Sequence, residues 1–237
     1  MEQKDPKRLQ ELMNSLNAYS AAKVSPVARW KIADEVQTVN GETHVIAERV
    51  AYVAPMLAQQ YKNNVALRGG RYNAMPSELF GKIAAFLTDR NAKPCLLLNG
   101  VPGTGKTTLA NAIMDVIAVL YKNDITTNKM TCHRCKASEL GEVVKEDKTK
   151  FQRIKTATVL YIDDIAFSGE SEVVNDYGTR RRPFDDLIEY RYDRQLMTIC
   201  TSNLTFEQFR EKYGERIFSR MCELFAVYQC GKTDYRK

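Results

Sequence analysis

The 237-residue chain has no run of 18 apolar residues, which excludes a membrane-spanning helix. Its first residues, MEQKDPKRLQ, are charged and carry no apolar signal-peptide core, so the expectation is a cytoplasmic protein with no membrane partner. Histidine is scarce, with only His44 and His133. The C-x-x-C pair Cys132–Cys135 around His133 has no second ligand pair at suitable spacing, and a zinc site needs about four ligands. That pair is therefore assigned to a strand and its exit. The other cysteines (95, 200, 222, 230) are scattered, several in apolar strand-like runs, and are expected to be reduced core residues. No repeat or low-complexity tract stands out either. What remains is an ordinary globular composition, 44% hydrophobic and 27% charged. The net charge of +6 permits an anionic partner without demanding one.

Residues 1–75 read as mainly helical. Asp5 and Pro6 open DPKRLQELMNSLNAY at cap and first-turn positions, and Leu9, Leu12, Met13 and Leu16 follow at helical spacing. Ser25–Pro26 opens a second helix, and residues 41–61 carry Val45, Ile46, Val50 and Val53 on one apolar face. LRGGRYNAMPSE is loop-like, which sets a boundary between residues 1–75 and 76–237. Beyond it strands and helices alternate. Strands are expected at PCLLLNG, KMTCHRC, ATVLYIDDI and LMTICTSN, with helices between them and a final helix from Thr205 to Phe225. A polar insert between ATVLYIDDI and the next helix reads as irregular. Such alternation implies an α/β fold with a parallel sheet covered on both faces.

The strand LLLN runs into GVPGTGKT, Gly100 to Thr107, which fits G-x-x-x-x-G-K-[ST] at every fixed position. Gly100, Gly103 and Gly105 let the backbone fold back so that successive N–H groups converge. Pro102 and Thr104 complete the loop, and the following helix aims its positive end at the same point. Lys106 suits the outer phosphates. The Thr107 hydroxyl is placed to ligate Mg2+, and Thr108 to open the helix or meet the α-phosphate. The ligand expected is ATP with Mg2+. In TVLYIDDI, Asp163 ends a buried strand, where ligands collect in parallel sheets, and is expected to hold Mg2+ through water. Asp164 is the candidate to orient the attacking water; a solvated turn or helix cap is the plainer use of the pair. MTICTSNLT delivers Thr201, Ser202 and Asn203 to the same edge. Two uses compete for Asn203, a contact to the γ-phosphate or lytic water and a cap on the next helix; the neighbouring motifs favour the first.

LLLNGVPGTGKTTLANAI, VLYIDDI, LIEYRYDRQLMTICTSNLT and YGERIFSRM occur in that order. Their order and spacing resemble the AAA+ ATPases of the DnaC type, the replicative helicase loaders, and the related IstB-type transposition ATPases. The resemblance covers residues 77–237. It implies a P-loop ASCE-type sheet of order 5-1-4-3-2 and ATP shared between neighbouring subunits of a homo-oligomer. It also implies an arginine finger at Arg220, with Arg216 one helical turn earlier as the reserve. A surface pair bridged by Glu215 or Glu223 is the plainer alternative for these arginines.

Two features depart from the wider AAA+ pattern. Asp163-Asp164 stands where many members have Asp-Glu, one methylene longer, which is compatible with slow or gated hydrolysis. The given sequence also runs only a short way past the finger segment, so the expectation is a fold without a C-terminal helical lid; Arg236 in the tail is a weaker candidate for reaching the nucleotide. Arg180, Arg181 and Arg182 in the polar insert form a solvated loop or meet DNA phosphates, with Tyr177 beside them to stack on a base. The resulting expectation is an ATP-hydrolysing replication accessory protein that acts like a DnaC-type loader. Residues 1–75 would grip a replicative helicase, and the ATPase domain would hold single-stranded DNA. An IstB-like ATPase on duplex DNA and a nucleotide-switched adaptor with little hydrolysis are the alternatives.

Overall fold

The structure is a computed structural model that describes residues 42–69, 77–89, 92–121, 130–165, 174–176 and 179–231. The helices expected over 5–19 and 25–39, and Tyr177 and Arg236, lie outside these residues. No helix among the described residues is long and apolar enough to cross a membrane.

Seven strands and seven α-helices are described. In chain order they are α1 (Glu42–Leu67), α2 (Ser77–Thr88), β1 (Cys95–Asn99), α3 (Lys106–Leu120), β2 (Cys132–Lys136), α4 (Leu140–Glu146), α5 (Lys148–Thr156), β3 (Val159–Asp163), β4 (Val174–Asp176), β5 (Thr179–Arg181), α6 (Pro183–Arg194), β6 (Met197–Ser202), α7 (Phe206–Leu224) and β7 (Phe225–Gln229). Five strands form one sheet of order β2-β3-β6-β1-β7, and every neighbouring pair is parallel. Counted among themselves these strands run 2-3-4-1-5, the expected order read from the other edge. In β1, all five residues are buried. Because side chains alternate along a strand, Leu96 and Leu98 face one core and Cys95 and Leu97 the other.

The first core packs α1, α2 and α3 on one face of the sheet. Val53, Leu57 and Tyr61 of α1 meet Phe80, Ile83 and Leu87 of α2 and Leu109, Ile113 and Ile117 of α3. The second core packs α4 to α7 on the other face, through Leu140, Phe151, Leu187, Ile188, Phe209 and Phe218. Cys132 packs against the first core and Cys135 against the second, because three residues along a strand reverse the face. The two thiols therefore point away from each other across the sheet. All six cysteines are free thiols.

Three elements differ from the sequence expectation. KTKFQRIKT forms α5, capped by Asp147, whose carboxylate accepts from the Lys150 N–H at 2.8 Å. Only Phe151 and Ile154 are buried in this helix, too few to signal it in an otherwise polar stretch. The insert expected to be irregular contains the antiparallel pair β4–β5. The final helix stops at Leu224, and the chain turns into β7, the fifth strand of the sheet. Lys93 fixes that switch: its Nζ donates to the carbonyls of Cys222 (2.8 Å) and Phe225 (3.0 Å) at the helix C-terminus. β7 pairs with β1, and the Cys230 N–H donates to the Asn99 carbonyl at 2.8 Å, so Cys230, just past β7, lies against the start of the glycine loop.

A fully buried arginine holds the opposite end of the sheet. Arg191 of α6 donates through Nε to Thr198 Oγ1 (2.7 Å). Its two terminal nitrogens reach the carbonyls of Ala157 (2.7 Å), Lys155 (3.1 Å) and Met197 (2.6 Å). Burial lowers its pKa to about 10, so it remains a cation at neutral pH. The guanidinium thus ties the end of α5 and the start of β6 together through neutral acceptors.

Candidate nucleotide site

β1 ends at Asn99, and the backbone then enters the loop that precedes α3. Asn99 is 8% exposed; its Oδ1 accepts from the Gly100 N–H at 2.7 Å, and its Nδ2 donates to the Leu204 carbonyl at 3.0 Å. This amide joins the start of the loop to the segment after β6. Gly100 (φ 154°), Gly103 (φ 85°) and Gly105 (φ 80°) all have positive φ. At Gly100 a Cβ would sit 3.2 Å from both the Gly231 carbonyl oxygen and Thr104 Oγ1, so a side chain there is also sterically resisted. Thr104 is buried and donates to the Val101 carbonyl at 2.9 Å, closing the loop on itself.

Gly105 caps α3 without any side-chain hydrogen bond. No side chain therefore occupies the position at the start of α3 where an anion would sit. Lys106 curls over the loop, and its Nζ donates to the carbonyls of Gly100 (2.7 Å) and Val101 (2.9 Å). Pro102 is exposed at the mouth and Thr108 is buried in the first turn of α3.

Across from the loop, three hydroxyls converge on Asp163 Oδ1. Thr107 donates at 3.0 Å, Tyr161 at 2.6 Å and Thr201 at 2.6 Å. Burial and the adjacent carboxylate push the Tyr161 phenol far up, so it remains a donor. Thr201 is also an acceptor: its Oγ1 takes the Asp164 N–H at 2.8 Å. Asp164 has φ 54° and its side chain is exposed, so the backbone turns at this residue and presents the second carboxylate to solvent. Thr107 and Asp163 are hard oxygen donors beside a phosphate loop, the set that suits Mg2+, which takes one or two protein oxygens and fills its shell with phosphate oxygens and water. Thr107 Oγ1 and the Asp163 carboxylate would hold it there.

Tyr161 is a part of this site that the motif did not flag. The available signal was its spacing, two residues before Asp163 on the same face of β3. Asn203 is exposed at the end of β6. The helix cap it was weighed for is supplied by Thr205, which forms a reciprocal capping box with Gln208.

The two arginines of α7 lie on one face, as their spacing implied. Glu189 of α6 holds both: Oε1 is 2.9 Å from Arg216 Nε and 3.3 Å from Arg220 NH1. Arg216 is 72% exposed, whereas Arg220 is 22% exposed and lies 5.3 Å from the centre of the Tyr192 ring. Glu215 instead pairs with Arg210 (3.0 Å), and Glu223 accepts from the Tyr192 hydroxyl (2.6 Å). Gly214 (φ 80°, ψ 165°) breaks α7 just before this face, so the arginines ride on its second segment. Arg180 and Arg181 fall on β5. Arg182 precedes α6 and donates to the Lys212 carbonyl, its guanidinium 6.0 Å from the Tyr213 ring, which joins α6 to α7.

A glycine loop between a buried strand and an uncapped helix, with a carboxylate on the neighbouring strand, defines a P-loop nucleotide-binding fold. Residues 96–223 match the family of ATPases associated with various cellular activities (AAA), more than half of the chain, and the protein belongs to that family. No curated protein matches it by sequence. Among solved structures, the DnaC helicase loader superposes with a TM-score of 0.54 at 21% identity, covering 73% of this chain and 99% of that one. DnaI superposes with a TM-score of 0.46 at 21% identity, over 88% and 91% of the two chains. AMPPCP-bound DnaA from Aquifex aeolicus gives 0.43 at 18% identity, over 61% and 42%. The fold is that of the DnaC-type AAA+ ATPases.

Proposed function

We propose that the protein is an ATP-hydrolysing replication accessory protein of the helicase-loader kind. The ATPase part rests on the convergence of Thr107, Tyr161 and Thr201 on Asp163 beside the glycine loop, which fixes one carboxylate oxygen in place. The loader part is supported by the fold it shares with the DnaC helicase loader. Bound Mg2+ would neutralise charge on the outer phosphates as the γ-phosphoryl leaves. Lys106 would exchange its two backbone carbonyls for phosphate oxygens, a stronger charge-assisted pairing. Asp164, exposed at the turn after β3, would orient the attacking water, and Asn203 would contact the γ-phosphate. Arg220 would complete the site of a neighbouring subunit, with Arg216 beside it. Residues 1–75 would engage a replicative helicase, and residues 76–237 would bind ATP and single-stranded DNA, the latter with help from Arg180 and Arg181.

The test is ATP hydrolysis by the full chain, alone and with single- or double-stranded DNA. The expected outcome is Mg2+-dependent turnover raised by single strands, and co-purification with a hexameric helicase. A shared site predicts that Lys106→Ala and Arg220→Ala, each inactive alone, regain activity when mixed, because one supplies the guanidinium and the other the nucleotide site. Turnover at background under every condition, with ATP still bound, would favour a nucleotide-switched adaptor. A preference for duplex DNA would favour a transposition ATPase.

A further inference from the structure

The C-terminal end of α1 places a cation at the phosphate loop that the P-loop motif does not include. Arg68 follows the last residue of the helix, and its NH1 donates to Thr108 Oγ1 at 3.4 Å. Thr108 belongs to the first turn of α3, whose amides face the loop. The geometry is anchored on both sides. The Arg68 N–H donates to the Val65 carbonyl (3.2 Å) and the Gly69 N–H to the Ala66 carbonyl (2.9 Å), with Gly69 at φ 67°, so a tight C-terminal turn fixes the residue. One turn earlier, Asn64 donates to Asp115 Oδ2 at 2.7 Å, and Asp115 Oδ1 lies 2.5 Å from Arg134 of β2. Val53, Leu57 and Tyr61 pack the rest of α1 into the core shared with α3. Arg68 is therefore held along α3, not on a wandering tail.

Its electrostatic setting is unfavourable as it stands. A guanidinium bonds to the first turn of α3, at the positive end of the helix and at a residue two positions beyond Lys106. No carboxylate pairs with it among the described residues; its one side-chain partner there is a neutral hydroxyl. Like charges gathered this way are stabilised by a shared anion. On the nucleotide-site reading the γ- and β-phosphates would fall to Lys106 and the loop amides, and Thr108, two residues further along the helix, would lie on the α-phosphate side.

We infer that Arg68 is a ligand of the α-phosphate of the bound nucleoside di- or triphosphate, and that through it nucleotide occupancy is felt at the end of α1. This rests on the nucleotide-site reading and adds a residue from outside the motif. It also gives the helix that leads in from residues 1–41 a direct contact with the nucleotide.

The experiment measures binding of fluorescent ATP and ADP to the full chain and to Arg68→Gln and Arg68→Lys. Loss of a charge-assisted hydrogen bond should weaken ATP and ADP alike by about tenfold in Arg68→Gln. Arg68→Lys should fall between that variant and the parent. The melting temperature of nucleotide-free protein should hold, since Arg68 is exposed. Unchanged affinity in Arg68→Gln, a loss confined to ATP, or weaker binding that tracks a lowered melting temperature would overturn the assignment while leaving the nucleotide site intact. If the parent chain binds neither nucleotide, the site reading itself falls, and this assignment with it.

Discussion

Lys106 and Arg191 satisfy their charge in the same way at opposite ends of one sheet. Each is a cation bonded to backbone carbonyls: Lys106 to Gly100 and Val101, Arg191 to Lys155, Ala157 and Met197. What separates them is access. Arg191 is 0% exposed and its acceptors can be replaced by nothing, whereas Lys106 is half-buried at the rim of the loop. The same bond is thus a permanent tie in one place and an exchangeable one in the other. The pairing alone does not mark a functional cation. Whether a stronger acceptor can reach it does.

The sharpest way to break this comparison is Arg191→Met. Removing the guanidinium leaves two buried carbonyls, one half-buried carbonyl and the Thr198 hydroxyl without their donor, at a cost of about 4 kcal/mol. Chemical denaturation should show that loss, while the folded fraction still binds nucleotide. An Arg191→Met chain of parental stability would sink the claim of a structural tie.

Lys106→Ala should do the reverse. Nucleotide affinity should fall by about 100-fold, or some 2.7 kcal/mol, with little change in the denaturation midpoint of the nucleotide-free chain. A titration with labelled ATP checks the first and a urea melt the second. A large stability loss would mean that its carbonyl bonds hold the fold after all.

His133 supplies the smallest effect and an intermediate case, a partly buried base in β2. Burial first, and then nearby Arg153, lower its pKa below 6.5. The unfolded chain therefore binds the proton more readily. Stability is fully present above about pH 6.5 and is lost as pH falls through the lower folded-state value. Comparing melts of the parent and His133→Asn from pH 7.5 to 5 should reveal a difference under about 1 kcal/mol, given the screening at a half-exposed site. An identical pH dependence in the two would remove His133 from the account.

Much of the candidate nucleotide site was legible beforehand because the pattern that marks it is local. Glycines at positive φ, a lysine and a threonine at fixed spacing, and an apolar strand ending in aspartate are constraints within a few residues. β7 escaped notice because AVYQ is short and follows a strong helical pattern. It becomes a strand only because Lys93 closes the preceding helix and β1 offers it an edge. The pairing of Glu189 with both Arg216 and Arg220 was equally hidden, since α6 and α7 meet only once β6 has carried the chain between them. Glu215 and Glu223, the nearer glutamates in sequence, are taken by Arg210 and Tyr192.

The sequence by itself marked the candidate phosphate loop and the strand that ends in the candidate metal carboxylate, because glycine-permitted turns and hydrophobic period act within a few residues; the order of the sheet came only with the family resemblance. Only the tertiary structure decided that Tyr161 and Thr201 share Asp163 with Thr107, that Arg191 ties the far end of the sheet, and that Arg68 reaches the first turn of α3. Those contacts join residues up to 94 positions apart, as Thr107 and Thr201 are around one oxygen atom. Such meetings follow from the packing of whole helices and strands, which no local pattern encodes.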